Sequence, residues 1–235
     1  MTATQLPLGP LPPKARTGIL GGTFNPVHVG HLSIAQQVMN ALKLERAFLM
    51  PAWVSPHKLK HEDMATPEDR LEMCELACLN MRGLAVCDWE LKREKVSYTV
   101  ETARELKEAY PDGQEFRFII GADSLADLHT WKEAKELVEL AQFAIVQRRE
   151  VPFKESLWET IRTNLGEAAE KKLKESVVSI QAVDVSSTLI RQLLKAGEKI
   201  PGYLRRDVED FIRKKHLYGA PFKPNAVSRI QMPGK

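Results

Sequence analysis

The chain has 235 residues, 43% of them hydrophobic and 28% charged, with a formal net charge of +3. These values suit a soluble globular protein large enough to bury a proper core, and so slight a charge gives no general affinity for nucleic acid or for membrane surfaces. No apolar run is long enough to span a bilayer, and the prolines of the first segment stand where a signal peptide would need an apolar centre, so a cytoplasmic location is expected.

Residues 1–16 carry Pro7, Pro10, Pro12 and Pro13 and predict a loosely ordered leader. Apolar runs suited to buried strands follow at 17–21, 47–50, 84–87, 116–120, 143–146 and 177–180, with helical patterns between them at 31–43, 67–80, 99–109, 133–139 and 155–175. Such regular succession predicts an α/β protein, a Rossmann-like, doubly wound and mostly parallel sheet with helices on both faces and a small helical C-terminal element. The domain is expected over 17–218, with a flexible tail at 219–235. Cys74 and Cys78 fall in a helical pattern and Cys87 in an apolar run; an odd total without a Cys-x-x-Cys spacing predicts reduced, buried thiols and no metal site. His57 and His61 flank a charged loop next to Pro56 and read as solvated; His129 and His216 receive no role.

The most informative segment lies between the first run and the first helical pattern: Gly21-Gly22-Thr23-Phe24-Asn25-Pro26-Val27-His28-Val29-Gly30-His31. A turn from strand to helix offers unpaired backbone N–H groups to an anion, and glycines there let a ligand approach the backbone closely. His28 and His31, three apart, come to one side of the opening helical turn. This chemistry suits phosphate. A Gly-x-Gly-x-x-Gly turn is absent after the first run, which removes the main support for a nicotinamide-dependent redox enzyme. A second anion-binding helix start is predicted at Val185-Ser186-Ser187-Thr188-Leu189-Ile190-Arg191, with Ser186 or Ser187 as N-cap, Thr188 in the first turn and Arg191 near the same end.

The pattern Gly-x-Phe-x-Pro-x-His-x-Gly-His resembles the signature of the nucleotidylyltransferase superfamily, and the segment 185–191 resembles its second signature, with Val185 a mild departure. Three further segments, Ser-Pro-His-Lys ending at Lys58, Ser-Tyr-Thr-Val-Glu-Thr at 97–102, and Gly-Ala-Asp-Ser-Leu through Trp131, resemble the bacterial nicotinate mononucleotide adenylyltransferases over residues 17–218. That resemblance implies ATP and nicotinate mononucleotide as substrates, with Mg²⁺ accompanying ATP, and no nucleic acid or membrane partner; a homo-oligomer stays open. It implies catalytic roles for His28, His31, Lys58 and Arg191. It implies ATP contacts from Gly22, Thr23, Phe24, His28, His31, Gly121, Asp123, Ser187, Thr188 and Arg191. Mononucleotide contacts would come from Gly21, Gly22, Asn25, Lys58, Thr99, Trp131 and Arg148. Relatives often carry Asn where Ala52 stands here, which leaves one contact to the pyridine substituent without a residue.

Rival readings of the same residues are a nicotinamide mononucleotide or pantetheine phosphate acceptor, a nucleotide-binding module without turnover, and a fragment of a tRNA-charging enzyme. The pantetheine phosphate enzymes lack the Gly-Ala-Asp-Ser…Trp block. The last reading would need an anticodon-binding region for which the chain leaves no obvious room.

Overall fold

Apolar runs rich in Ile, Phe, Leu and Val become the strands of one sheet: β1 (Arg16–Gly22), β2 (Arg46–Pro51), β3 (Leu84–Val86), β4 (Glu115–Ile120), β5 (Gln142–Arg148) and β6 (Val177–Ile180). All neighbours pair in parallel, in the order β3-β2-β1-β4-β5-β6, so the sheet is entirely rather than mostly parallel. A computed structural model describes residues 6–56, 63–111, 113–149, 151–181 and 183–220.

Side chains alternate across the sheet, so each strand feeds two cores. On one face Leu20, Leu49, Ile119, Ala144 and Val178 pack against helices α1 (Val29–Leu42), α2 (Pro67–Cys78), α9 (Ser187–Lys195) and α10 (Arg206–Lys214). On the other, Ile19, Phe48, Phe118, Phe143 and Ile145 meet α4 (Thr99–Ala109), α6 (Ala134–Leu140), α7 (Glu155–Leu165) and α8 (Glu167–Glu175). Two short helices, α3 (Trp89–Lys92) and α5 (Ala122–Asp127), complete the set. Strand order reverses between β1 and β4, and the crevice beyond the carboxyl ends of strands at such a switch point is where ligands of open α/β sheets bind. The Gly-rich turn leaves β1 at that point.

Several boundaries differ from the sequence expectation for local reasons. The pattern at 155–175 is two helices because Gly166, at φ 96°, breaks it. α10 carries charges all along Arg206–Lys214, yet it buries Val208 and Ile212 in the first of these cores, where it packs on α2. The leader is docked where it is described: Leu8 is buried, its N–H donates to Tyr110 Oη (2.8 Å), and that hydroxyl donates to Gly9 O (2.8 Å). The segment turns at Pro7-Leu8 and again at Pro13-Lys14, the Gly9 N–H donating to Leu6 O and the Ala15 N–H to Pro12 O (both 3.1 Å). Of the expected tail, Gly219 and Ala220 are described, and Ala220 is buried; the remainder lies outside the described residues. The three cysteines are buried free thiols, and burial pushes Cys87 up to about 12.

Candidate active site

The turn from β1 to α1 holds Phe24 at φ 50°, a conformation L residues rarely adopt, and the structure keeps it there by burying the ring in the core. At Gly21 and Gly121 an added Cβ would meet no protein atom, so both glycines face open space. Gly30 is different: a Cβ there would lie 2.9 Å from both Val185 Cγ1 and His28 Nδ1. The first turn of α1 and the segment leading into α9 therefore touch, and only a glycine allows the contact.

His28 is the N-cap of α1, and its backbone N–H donates to His31 Nδ1 (3.2 Å). With Nδ1 accepting, the proton of neutral His31 sits on Nε2, the far edge of the ring. The imidazoles stack with centroids 3.7 Å apart, and the Phe24 ring meets His31 edge-on at 5.0 Å. Burial lowers the His28 pKa from 6.5 to about 4, so His28 is neutral at neutral pH.

Ser186 caps α9, accepting from the Leu189 N–H (3.1 Å). The two signature segments are joined directly: Ser187 Oγ donates to Pro26 O (2.9 Å), and Arg191 Nη1 donates to Asn25 O (2.9 Å). Arg191 Nη2 lies 3.5 Å from Thr188 Oγ1. Two helix starts about 160 residues apart in sequence thus converge on one turn. In α1 the Val29 N–H goes to Tyr203 O and the His31 N–H to His28 O, and in α9 the Leu189 N–H goes to Ser186, so the Gly30, Ser187 and Thr188 N–H groups are the ones left to face an anion.

Beside this junction a cavity of about 530 Å³ opens at the carboxyl ends of β1 and β4. Its walls include Gly21, Gly22, Thr23, Ala52, Thr99, Gly121, Asp123 and half-buried Trp131. Thr99 is the first residue of α4, whose N-cap Tyr98 gives no side-chain cap. The same wall holds a buried carboxyl, Glu90, whose pKa burial raises, opposed by the Thr102 hydroxyl donating to it at 2.7 Å and by Arg93 at 3.4 Å. A groove of about 580 Å³ at the β3 edge, lined by Glu75, Leu79 and Arg82 among others, contains none of the signature residues.

Asn25 is used differently from the expectation. Its Nδ2 donates to Asp63 O (2.9 Å), and its Oδ1 accepts from the Ala65 N–H (3.0 Å) and Tyr218 Oη (2.7 Å). Three of its four hydrogen-bonding sites are therefore spent within the protein, where it braces the turn, and one Nδ2 N–H is left. Arg148 ends β5, does not line the cavity, and lies 4.0 Å from Asp184. Lys58 lies outside the described residues, as do His57 and His61. Sequence reading missed Arg70, a fully buried guanidinium bonded to the Thr23 and Ala52 carbonyls, although its position on the apolar stripe of α2 with Met73, Cys74 and Ala77 was legible. It also missed Tyr218, whose support for Asn25 arises only from the fold.

The buried imidazole has a consequence for stability. The unfolded chain binds a proton near pH 6.5, whereas folded His28 does so only near pH 4, so stability is lost as pH falls through that window. A shift of this size corresponds to about 3 kcal/mol. Urea unfolding at pH 7.5 and 4.5 is expected to show a loss in the native chain that is smaller in His28→Asn; equal losses in both would contradict it.

A family model described as "Cytidylyltransferase-like" matches residues 19–193. Among curated proteins, a "Probable nicotinate-nucleotide adenylyltransferase" of Geotalea daltonii is 39% identical over 213 residues, covering 86% of this chain and 98% of the relative. One of the same name from Shouchella clausii is 36% identical over 204 residues, covering 87% and 97%. Among solved structures, Plasmodium falciparum nicotinic acid mononucleotide adenylyltransferase, in forms complexed with APC and with NaAD, matches with a TM-score of 0.69 at 20% identity, covering 89% of this chain and 100% of that one, a likeness of fold. With both signatures meeting at one turn, the chain belongs to the cytidylyltransferase-like family, among relatives that are nicotinate-nucleotide adenylyltransferases.

Proposed function

We propose that the protein transfers the adenylyl group of ATP to the 5′-phosphate of nicotinate mononucleotide, giving nicotinate adenine dinucleotide and pyrophosphate. The observation that carries this reading is the hydrogen-bonded junction of the α1 and α9 starts beside a cavity walled by Thr99 and Trp131.

A phosphate oxygen of the mononucleotide forms a bond to the α-phosphorus of ATP, and the bond to the bridging oxygen breaks, its electron pair leaving on pyrophosphate. The nucleophile is already ionised, so no general base and no covalent enzyme intermediate is needed. The protein's work is to align two anions that repel each other and to stabilise charge on the leaving group. His31 Nε2–H, the Thr188 hydroxyl, Arg191 and the Gly30, Ser187 and Thr188 amides would hold the triphosphate. Gly22, Thr23 and Phe24 would supply backbone, and Lys58 a mobile charge. His28, neutral and stacked beneath, would set the His31 ring.

In the cavity, Trp131 would stack on the pyridine ring and Thr99 would meet its substituent. The uncapped start of α4 favours a carboxylate over an amide there, since helix N-termini attract anions. Glu90 opposes this, and Arg93 balances its charge. Asp123, on the cavity wall, would meet ribose hydroxyls or a hydrated metal ion, and Arg148, outside that wall, would have to turn from Asp184 to meet an acidic substrate group. Mg²⁺ would accompany ATP as part of the substrate, offsetting charge on the triphosphate. Among the described residues no helix is long and apolar enough to cross a membrane.

Turnover with nicotinate and nicotinamide mononucleotides under saturating Mg-ATP tests the reading. Pyrophosphate release is expected with both, with the acid favoured. Equal efficiency would remove the named acceptor and leave adenylyl transfer standing; no release with either would overturn the function.

A further inference from the structure

The buried stripe of α2 contains Arg70, Met73, Cys74 and Ala77. Three of these suit a helix lying on a sheet; the fourth is an arginine with no exposed surface. Its donors go to backbone carbonyls: Nη1 to Thr23 O (2.9 Å) and Ala52 O (2.7 Å), Nη2 to Trp53 O (2.9 Å), and Nε to Ala65 O (3.3 Å). Burial lowers its pKa, with Cys74, Tyr218 and Glu68 opposing that only through space. A buried charge without an ionic partner is costly, and an apolar residue would seat α2 on the sheet more cheaply.

The carbonyls it joins belong to three segments, the turn after β1, the end of β2 and the run into α2. The Ala52 N–H to Gly22 O (2.9 Å) and the Asn25 amide also tie neighbouring pairs of them, but Arg70 is one group that reaches all three. Two of the carbonyls, on Thr23 and Ala52, belong to residues of the cavity wall, and the same nitrogen, Nη1, donates to both. A guanidinium is planar and rigid, so bonds to both walls from one fork set the spacing between them.

We propose that Arg70 is a positioning residue for adenylyl transfer, holding the phosphate-gripping turn and the β2 end at one spacing so that the two reacting phosphates meet in line. The inference rests on the function proposed above. Arg70 acts through the Thr23 and Ala52 carbonyls, and its loss falls on alignment more than on binding. A misplacement of about 1 Å can cost about a hundredfold in rate.

Arg70→Lys keeps the charge but loses the fork, and Arg70→Met fills the volume without either. Wild-type protein that releases no pyrophosphate from Mg-ATP and nicotinate mononucleotide would defeat the functional reading first. With the wild type active, each variant that melts cooperatively is expected to lose about a hundredfold in kcat, with KM for Mg-ATP changed by less than about tenfold. A kcat within about twofold of wild type in either folded variant, or a loss confined to KM, overturns the proposal. If neither variant melts cooperatively, amide exchange of the wild-type chain decides. Thr23, Phe24, Ala52 and Trp53 opening at one common rate supports the proposal, and separate rates for the two segments overturn it.

Discussion

His31→Ala is expected to lower turnover by about a hundredfold or more while leaving a folded protein. The ring is only partly buried, so its removal creates no sealed cavity in the core. What disappears is a proton donor whose tautomer is set by the His28 backbone N–H on Nδ1, together with the stack that orients it. A donor held in advance of reaction stabilises charge on the departing pyrophosphate without reorganising, which is why one such group can matter so much. His31→Gln offers an amide N–H at a similar reach and is expected to retain more activity than alanine. Pyrophosphate release at saturating substrates measures both, and a folded alanine variant with full turnover would remove His31 from the mechanism.

Arg191→Ala is expected to cost about a hundredfold or more in kcat/KM for Mg-ATP, with Arg191→Lys between it and the wild type. One nitrogen of Arg191 is tied to the Asn25 carbonyl and the other lies near Thr188, so the guanidinium both joins the two helix starts and presents charge at their junction. Lysine keeps the charge and gives up the second point of attachment. Alanine gives up both, and leaves the Asn25 carbonyl without that donor. Steady-state kinetics with ATP as the varied substrate would show the order wild type, lysine, alanine; an alanine variant with unchanged kcat/KM would contradict it.

The strands were legible because a sheet buried on both faces demands continuous apolar runs, and all six predicted runs became strands. Helix existence was legible from periodicity, but the break at Gly166 was not, because charged residues on both sides kept the helical pattern running through it. A small helical C-terminal element was expected, but the bounds of α10 were not legible: its few buried residues, Val208 and Ile212, stand among charges that dominate its composition. The leader was read from its prolines as loose, while its hydrogen bonds to Tyr110 depend on a residue about 100 positions away.

Sequence alone determined the chemistry on offer: two helix starts with hydroxyls, imidazoles and a guanidinium, whose residue types and spacings are local properties. It also determined the doubly wound fold, since strand and helix periods alternate along the chain. Tertiary structure decided which of these groups meet. It placed Ser187 and Arg191 on the carbonyls of Pro26 and Asn25, gave the Asn25 side chain partners at Asp63, Ala65 and Tyr218, and joined Arg70 to the Thr23 and Ala52 carbonyls. The physical reason is that backbone carbonyls are acceptors at every position and carry no sequence signal. Which donor reaches them depends on packing between segments far apart in the chain.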